Sequence, residues 1–369
     1  MVPSEILYII HAQRLRELLE QELEYIRIVH FRQIVFDGTL QGTVLFLGIK
    51  RSHSPFRAFE GHAASDCSLF SDGPEAGRVD FKIWDIDGIE DLCRLRPSEM
   101  APEPESVNCL SGKCMFALLD DDERFLLSEL SGEAKVKGFS DIAYVTIGVV
   151  TGANKYFCVD KETLNRFGLV EIAKPMLARS ELINGITYTA EDHRRNSSQG
   201  KSVFFLEFPG GPVNDLPKRM QNYIMLGEEQ ELHRRYKCRI REPWYCVPYV
   251  WVSEISLLKR CHHFPRLVLN KLGAYSTDTA YRITLKDAYS GRREDFVLSF
   301  INSYTLLLAG LGGRHYAGGV VELVPSEIRA LKVPLLQVSR QNFRLLDRLI
   351  REGRAVEEIL EFTDQIILR

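Results

Sequence analysis

Residues 1–10 read MVPSEILYII, and a near copy, VPSEIRAL, returns at 324–331. Proline stiffens a chain entry, serine can cap free N–H groups, and glutamate is favoured at the positive end of a helix. Pro-Ser-Glu ahead of a periodic apolar run therefore predicts a helix start. Over 4–24, Ile6, Leu7, Ile10, Leu15, Leu18, Leu19 and Leu23 can line one side, with Arg14, Arg16, Glu17, Glu20 and Glu24 mostly elsewhere. A strand over 25–31, the turn-like DGTLQG (37–42) and the run TVLFLGI (43–49) follow, and the unbroken apolar run predicts a strand covered on both faces. Helix, strand, turn, strand is the rear of an α/β sheet. In such a sheet the helix at Ser4 leaves the end of a strand, and the expectation is that this strand lies outside the 369 residues.

From about 51 to 107 the composition shifts to Ser, Gly, Pro and Asp, interrupted by a strand candidate at 79–86. A third Pro-Ser-Glu, at 97–99, sits among prolines that would break a helix, so the tripeptide is punctuation and not an internal repeat. A second ordered region is expected from about 139, with short strands, Gly and Pro turns and aromatic clusters to about 323. The end is helical in pattern, with two helices hinged at Gly353.

At 369 residues the chain has length for two or three domains, and 45% hydrophobic residues is ordinary for a globular protein. A net charge of −3 means that any surface for a polyanion must be local. Eight scattered cysteines and no apolar, cleavable leader predict reduced thiols in the cytoplasm. Cys109-x4-Cys114 and the group Cys246, Cys261, His262 and His263 raise a zinc site, but no second close pair completes four ligands; small buried hydrophobes are the preferred reading. The run FVLSFINSYTLLLAGLGG (296–313) is nearly long enough to span a bilayer, yet Asn302, Ser303 and its glycines suit a packed core, and no membrane segment is expected.

Three features bear on chemistry. Thr151-Gly-Ala-Asn-Lys155 leaves a strand candidate in a glycine turn. It lacks the glycine spacing and Lys-Ser/Thr of a P-loop, but could place Asn154 and Lys155 beside a nucleic-acid backbone; a plain surface turn is the alternative. Gly310–Gly313 and Gly318-Gly319 suggest a cofactor loop, but the preceding run reads as a helix, making the first group a helix stop. HRRYKCRIREPWY (233–245) concentrates Arg234, Arg235, Lys237, Arg239 and Arg241 beside Tyr236, Trp244 and Tyr245, pairing phosphate-neutralising cations with aromatic faces. A second basic stretch, His193-Arg194-Arg195 with Lys201, suits a flexible loop, and solvated charge is the alternative for both. No HExxH, no Gly-x-Ser-x-Gly elbow and no kinase-type loop is present.

The colinear pieces VPSEILYIIHAQRLRELLEQ, IVHFRQIVFDGTLQGTVLFLGIK, VVTGANKYF, REPWYCVP, PRLVLNKLGAYSTDTAYRI and INSYTLLLAGLGGRHYAGGVVELVPSEI resemble the C-terminal portion of bacterial DNA adenine-N6 methyltransferases of restriction–modification type. The resemblance covers most of the chain from Val2 to about Pro334. It implies an α/β fold: the rear of a Rossmann-like methyltransferase domain (1–50), a connector or small insertion (51–138), an α+β target-recognition domain (139–323) and C-terminal helices (324–369). It implies double-stranded DNA as partner and S-adenosylmethionine as cofactor of the complete enzyme. The family's cofactor loop and Asn-Pro-Pro-Tyr type catalytic motif precede the strand that would run into MVPSE; the 369 residues contain no Pro-Pro pair, so none of the cofactor is expected to bind this chain alone and a second chain is a possible supplier. Phe36, in VFDG, matches the position whose ring stacks on an adenine rotated out of the duplex; a core phenylalanine beside the turn is the alternative. Asn154, Lys155, Trp244, Tyr245, Asn270, Ser276, Thr277, Arg314 and Tyr316 match landmarks of the recognition portion, as DNA contacts or as supports of its fold.

Overall fold

The computed structural model describes residues 1–7, 12–33, 35, 42–51, 80–96, 119, 121–177, 179–261, 264–316 and 320–369. The chain is mixed α/β with several small sheets. It divides into two compact units, Met1–Val136 with Leu306–Lys332, and Lys137–Thr305 with Val333–Arg369.

In the first unit, β1 (Val2–Pro3), β2 (Leu23–Phe31), β3 (Thr43–Lys50) and β4 (Asp80–Ile86) form one sheet in the order β1-β3-β2-β4. β2 and β3 are antiparallel, from Leu23 opposite Lys50 to His30 opposite Val44. β4 runs parallel to β2, from Tyr25 opposite Asp80 to Phe31 opposite Ile86. The strand read within the Ser/Gly/Pro-rich stretch is thus a member of this sheet. The doubly covered strand is β2, not β3 as its apolar run predicted. β2 lies between two long neighbours and buries Tyr25 to Val29, whereas β3 has, among the described residues, only two residues of β1 on its far side and leaves Leu47 and Ile49 45% and 49% exposed.

The predicted helix over 4–24 is also corrected. Val2 and Pro3 pair with Val44 and Thr43, and the Ser4 N–H is donated to the Gly42 carbonyl at 2.9 Å. This tie to β3 makes residues 4–7 a 3-10 turn, and helix α1 (Gln13–Glu22) begins nine residues later than expected. α1 buries Arg16 and Glu20 and leaves Leu15 exposed, the reverse of a simple apolar stripe; Arg16 Nη1 donates to the Ile6 carbonyl at 2.9 Å. The second Pro-Ser-Glu does open a helix, Pro325–Ala330. There glutamate supplies the cap, Glu327 Oε2 accepting the Val324 N–H at 2.9 Å.

The second unit contains β5 (Ala143–Ile147), β6 (Cys158–Val159), β7 (Ala173–Leu177), β8 (Thr187–Tyr188), β9 (Phe204–Leu206), β10 (Ile255–Leu258), β11 (Leu267–Asn270), β12 (Tyr275–Ser276) and β13 (Ala280–Leu285). A five-stranded sheet has the order β5-β13-β10-β11-β8 and a four-stranded sheet the order β12-β7-β9-β6. Its helices include α2 (Asn154–Phe157), α3 (Ala190–Ser198), α4 (Lys218–Glu229) and α5 (Tyr236–Arg239). An aromatic core joins the short elements: Tyr156 and Tyr223 stack with centroids 4.6 Å apart, and each hydroxyl donates to the other's main-chain carbonyl. Phe157, Phe205 and Phe208 complete it.

The apolar run at 296–313 forms two short helices, α6 (Arg293–Ser299) and α7 (Ser303–Gly312), bent by 68° and largely buried. No single helix among the described residues is long and apolar enough to cross a membrane. At the end, α8 (Arg340–Arg351) and α9 (Val356–Ile367) flank Gly353, whose φ of 70° lies where glycine is favoured, as the expected hinge requires. Phe343, Leu346, Ile350, Ile359 and Ile367 form their buried seam.

Candidate nucleic-acid interface

The Thr151–Lys155 turn leaves β5 through Gly148, Val149 and Val150. Thr151 is buried; its hydroxyl accepts the Ala153 N–H at 3.1 Å and bonds to Asn154 Oδ1. Gly152 has φ 78°, and a Cβ there would lie 2.8 Å from Lys237 Cβ. The turn therefore packs directly against the basic segment. Arg241 fastens the two together, donating from Nη1 to the Thr151 carbonyl at 2.8 Å and from Nη2 to the Val150 carbonyl at 2.5 Å. Asn154 Nδ2 donates to Asp278 Oδ1 at 3.2 Å, adding a third segment.

Two clefts that share Val150 and Lys237 open on this junction. One, of about 750 Å³, is lined by Gly152, Asn154, Lys155, Gln230 and Arg235, among others. The other, of about 670 Å³, has an apolar floor including Ile147, Val149 and Val247, with Arg241, Tyr249 and Arg282 in its walls. Lys155, Arg235, Lys237 and Arg239 are exposed and form no ion pair among the described residues. Burial lowers the pKa of Arg241 and of Arg282, yet each guanidinium is bonded to main-chain carbonyls. Carbonyl oxygens orient a cation without cancelling its charge, so this wall keeps a positive field that suits an anion.

The other basic and aromatic residues take different places. Arg234 is paired with Glu231 at 2.6 Å. Trp244 is half-buried: its ring lies 5.5 Å from that of Tyr156 and Nε1 donates to Glu228 Oε1 at 3.1 Å. Tyr245 and Asn270, read as DNA contacts or as supports of the fold, are buried with their side chains bonded to main-chain groups. Tyr245 is 1% exposed, with its hydroxyl donated to the Gly211 carbonyl. Asn270 Nδ2 donates to the Ser253 and Ala274 carbonyls and Oδ1 accepts the Ala274 N–H, so both amide donors are spent within the fold.

The stretch around Arg194 and Arg195 is the helix α3, not a flexible loop. Thr189 and Asp192 cap it reciprocally, so the chain gains an ordered start. Arg195 pairs with Asp192 at 2.9 Å, Arg194 is exposed, and neither lines the two clefts.

In the first unit Arg314 lies 3.4 Å from buried Glu327, and Arg314 and Tyr316 begin and end a strand paired with Val320–Glu322. Phe36 lies outside the described residues. At the end of the parallel pair β2/β4, just before that segment, Asp85 holds both His30 and Arg32 at 2.7 Å. Burial alone would raise the Asp85 pKa; the hydrogen bonds from His30 and Arg32 outweigh it and hold the carboxyl below the usual range.

The glycine stretch at 310–313 ends α7, with the Gly313 N–H donated to the Ala309 carbonyl at 2.8 Å. A helix precedes it where a cofactor loop needs a strand, so the stretch does not fit a methyl-donor cradle. Cys109, Cys114, His262 and His263 lie outside the described residues, and among those described no three His, Cys, Asp or Glu side chains gather as metal ligands. Tyr249, Asp278 and Arg282 were missed as site residues. The aromatic run Tyr249-Val-Trp251 after REPWYCVP was the available signal for the first, whereas Asp278 and Arg282 are reached only through the fold.

The chain is a member of the family described as "Type II methyltransferase M.Eco57I, C-terminal domain", whose family model matches residues 111–368. Among curated proteins it is similar to the type II methyltransferase M.AccI of Acinetobacter calcoaceticus, 26% identical over 281 residues, covering 68% of this chain and 50% of that protein. The chain thus spans about half the length of that relative. Among solved structures it is similar to the type IIG restriction endonuclease BpuSI, with TM-score 0.43, 12% identity, and 100% of this chain and 46% of that one covered. It is also similar to the type IIL restriction-modification enzyme MmeI in complex with DNA, with TM-score 0.45, 8% identity, and 94% and 42% covered.

Proposed function

We propose that this chain is the DNA target-recognition part of a site-specific adenine-N6 methyltransferase of restriction–modification type, acting in the cytoplasm. The S-adenosylmethionine loop and the catalytic Asn-Pro-Pro-Tyr type motif come from a separate N-terminal half or a second chain. When bound by that half, S-adenosylmethionine supplies the methyl group. This chain binds duplex DNA, and Phe36 stacks on the flipped adenine. Membership of the methyltransferase C-terminal family supports the reading. The observation that carries it is the convergence of Lys155, Arg235, Lys237, Arg241 and Arg282 on two joined clefts, with Arg239 exposed on the same short helix as Lys237, in a chain of net charge −3. A local cationic wall in a mildly acidic protein is what phosphate binding without general polyanion affinity requires.

The test is a titration of duplex DNA onto the pure chain across salt concentrations. Each phosphate neutralised releases about 0.9 counterion, so three to five contacts give a log–log slope of roughly −3 to −5. Lys237→Glu and Arg239→Glu should each flatten that slope by about one. Absence of affinity at low salt refutes DNA recognition. The pure chain is expected to transfer no methyl group to DNA, and robust methylation by it refutes the division of labour.

A further inference from the structure

Tyr249 combines two unfavourable features. Its backbone is left-handed, with φ 57°, a conformation that bulky side chains rarely adopt, and the residue is 85% exposed. Such strain persists only where the surroundings over-determine it. Here Arg282 does so, from the middle of β13, where it faces Ser256 of β10. Its Nη1 donates to the Tyr249 carbonyl at 3.0 Å and approaches the Trp251 carbonyl at 3.5 Å, and its guanidinium lies 3.9 Å from the centre of the Trp251 ring. Arg282 is only 6% exposed and has no carboxylate partner among the described residues, and its Nε has no hydrogen-bond partner there. A buried, uncompensated guanidinium is thus used to hold an aromatic ring out into water, at the edge of a cleft whose other walls carry Lys237 and Arg241. Neither feature adds to stability; both make sense if the ring has a partner.

We infer that Tyr249 is a stacking finger that the recognition unit inserts against a DNA base at this cleft, with Arg282 as its positioning residue. This rests on the DNA-binding reading above. A ring offers its face to any base, while Lys237 and Arg239 neutralise the flanking phosphates.

The test uses the full chain and a short duplex enriched on it from a randomised pool, with 2-aminopurine substituted along one strand. Tyr249→Ala and Tyr249→Gly should each lose about tenfold in affinity and the 2-aminopurine signal of the stacked position, whereas Tyr249→Trp keeps both. Glycine accepts the left-handed backbone, so Tyr249→Gly should melt no lower than the parent, separating loss of the ring from loss of the fold. Arg282→Lys should weaken binding to about the same extent, with no further loss when combined with Tyr249→Ala. A purely structural Arg282 gives additive losses instead and overturns its positioning role. Parental affinity and signal in Tyr249→Ala and Tyr249→Gly overturn the finger while leaving DNA binding intact. Failure of the parent chain to bind any duplex overturns the DNA reading, and the finger with it.

Discussion

Asn270 and Gly152 show how single residues hold the second unit together. Asn270 is 8% exposed and makes three hydrogen bonds to main-chain groups of Ser253 and Ala274. Truncation strands those groups in a place water does not reach, so Asn270→Ala should cost about 2–4 kcal/mol in a denaturant titration, with affinity per folded molecule unchanged. An unchanged midpoint would refute its structural role. Gly152 differs, because it stands at the interface of turn and basic segment. Gly152→Ala must accept φ 78° and a Cβ 2.8 Å from that of Lys237. It should cost about 2–3 kcal/mol and, by pushing the turn off α5, weaken DNA binding as well. Full binding at parental stability would show that the junction is not rigid.

At the scale of elements, α8 is docked by its charges as much as by its apolar seam. Asp347 accepts the N–H groups of Ile186 and Thr187 at 2.8 and 3.1 Å, and Gly185 leaves room for it, since a Cβ there would lie 2.3 Å from its carboxylate. Arg351 then bridges Asp347 at 2.8 Å and Asp192 at 2.6 Å, tying the helix to the capped start of α3. Arg351→Met leaves the nearly buried Asp192 with Arg195 as its remaining cation. We expect a loss of about 3 kcal/mol by thermal or chemical unfolding. The same network sets a pH dependence. Burial by itself would raise the Asp192 pKa, but the hydrogen bonds from Arg351 and Thr189 prevail and lower it. A carboxyl depressed in the folded state stabilises fully above its unfolded pKa, about 3.9, and that stability disappears as pH falls through the lower folded value. Stability lost by acidification below about pH 4 should therefore be smaller in Arg351→Met than in the parent; an equal acid loss would place the sensitivity elsewhere.

For the whole molecule, the two units assign different work to different parts of the chain. The clefts and their cations belong to the second unit, Lys137–Thr305 with Val333–Arg369. A ligand that binds only folded protein stabilises it by mass action, about 2.7 kcal/mol at a hundred times the dissociation constant. Duplex DNA at low salt should accordingly raise the melting temperature by several degrees. If calorimetry resolves two transitions, the one that moves should be that of the second unit. A shift confined to the first unit, or one that persists in high salt, would relocate the binding surface. The first unit presents instead a sheet whose strand β3 leaves Leu47 and Ile49 about half exposed.

Local patterns in the sequence were enough to locate β2, β3 and β4, the packed apolar run at 296–313, the helix stop before Arg314 and the two helices about Gly353. Each is written in a run of a few residues with period 2 or 3.6, or in a single glycine. They also placed the positive charge of 233–241 and the turn at 151–155. What depended on partners distant in the chain was decided only in three dimensions. Ser4 reads as a helix cap until its N–H is seen bonded to Gly42; β3 reads as the covered strand until β4 arrives beside β2. Tyr245 and Asn270 read equally as contacts or as fold supports until their side chains are found bonded to the main chain inside, and Arg282 looks ordinary until it is found bonded to the Tyr249 carbonyl. A chain's own pattern records which face of an element is apolar, but burial, hydrogen-bond satisfaction and the balance of charge are properties of pairs. Those pairs are made by folding.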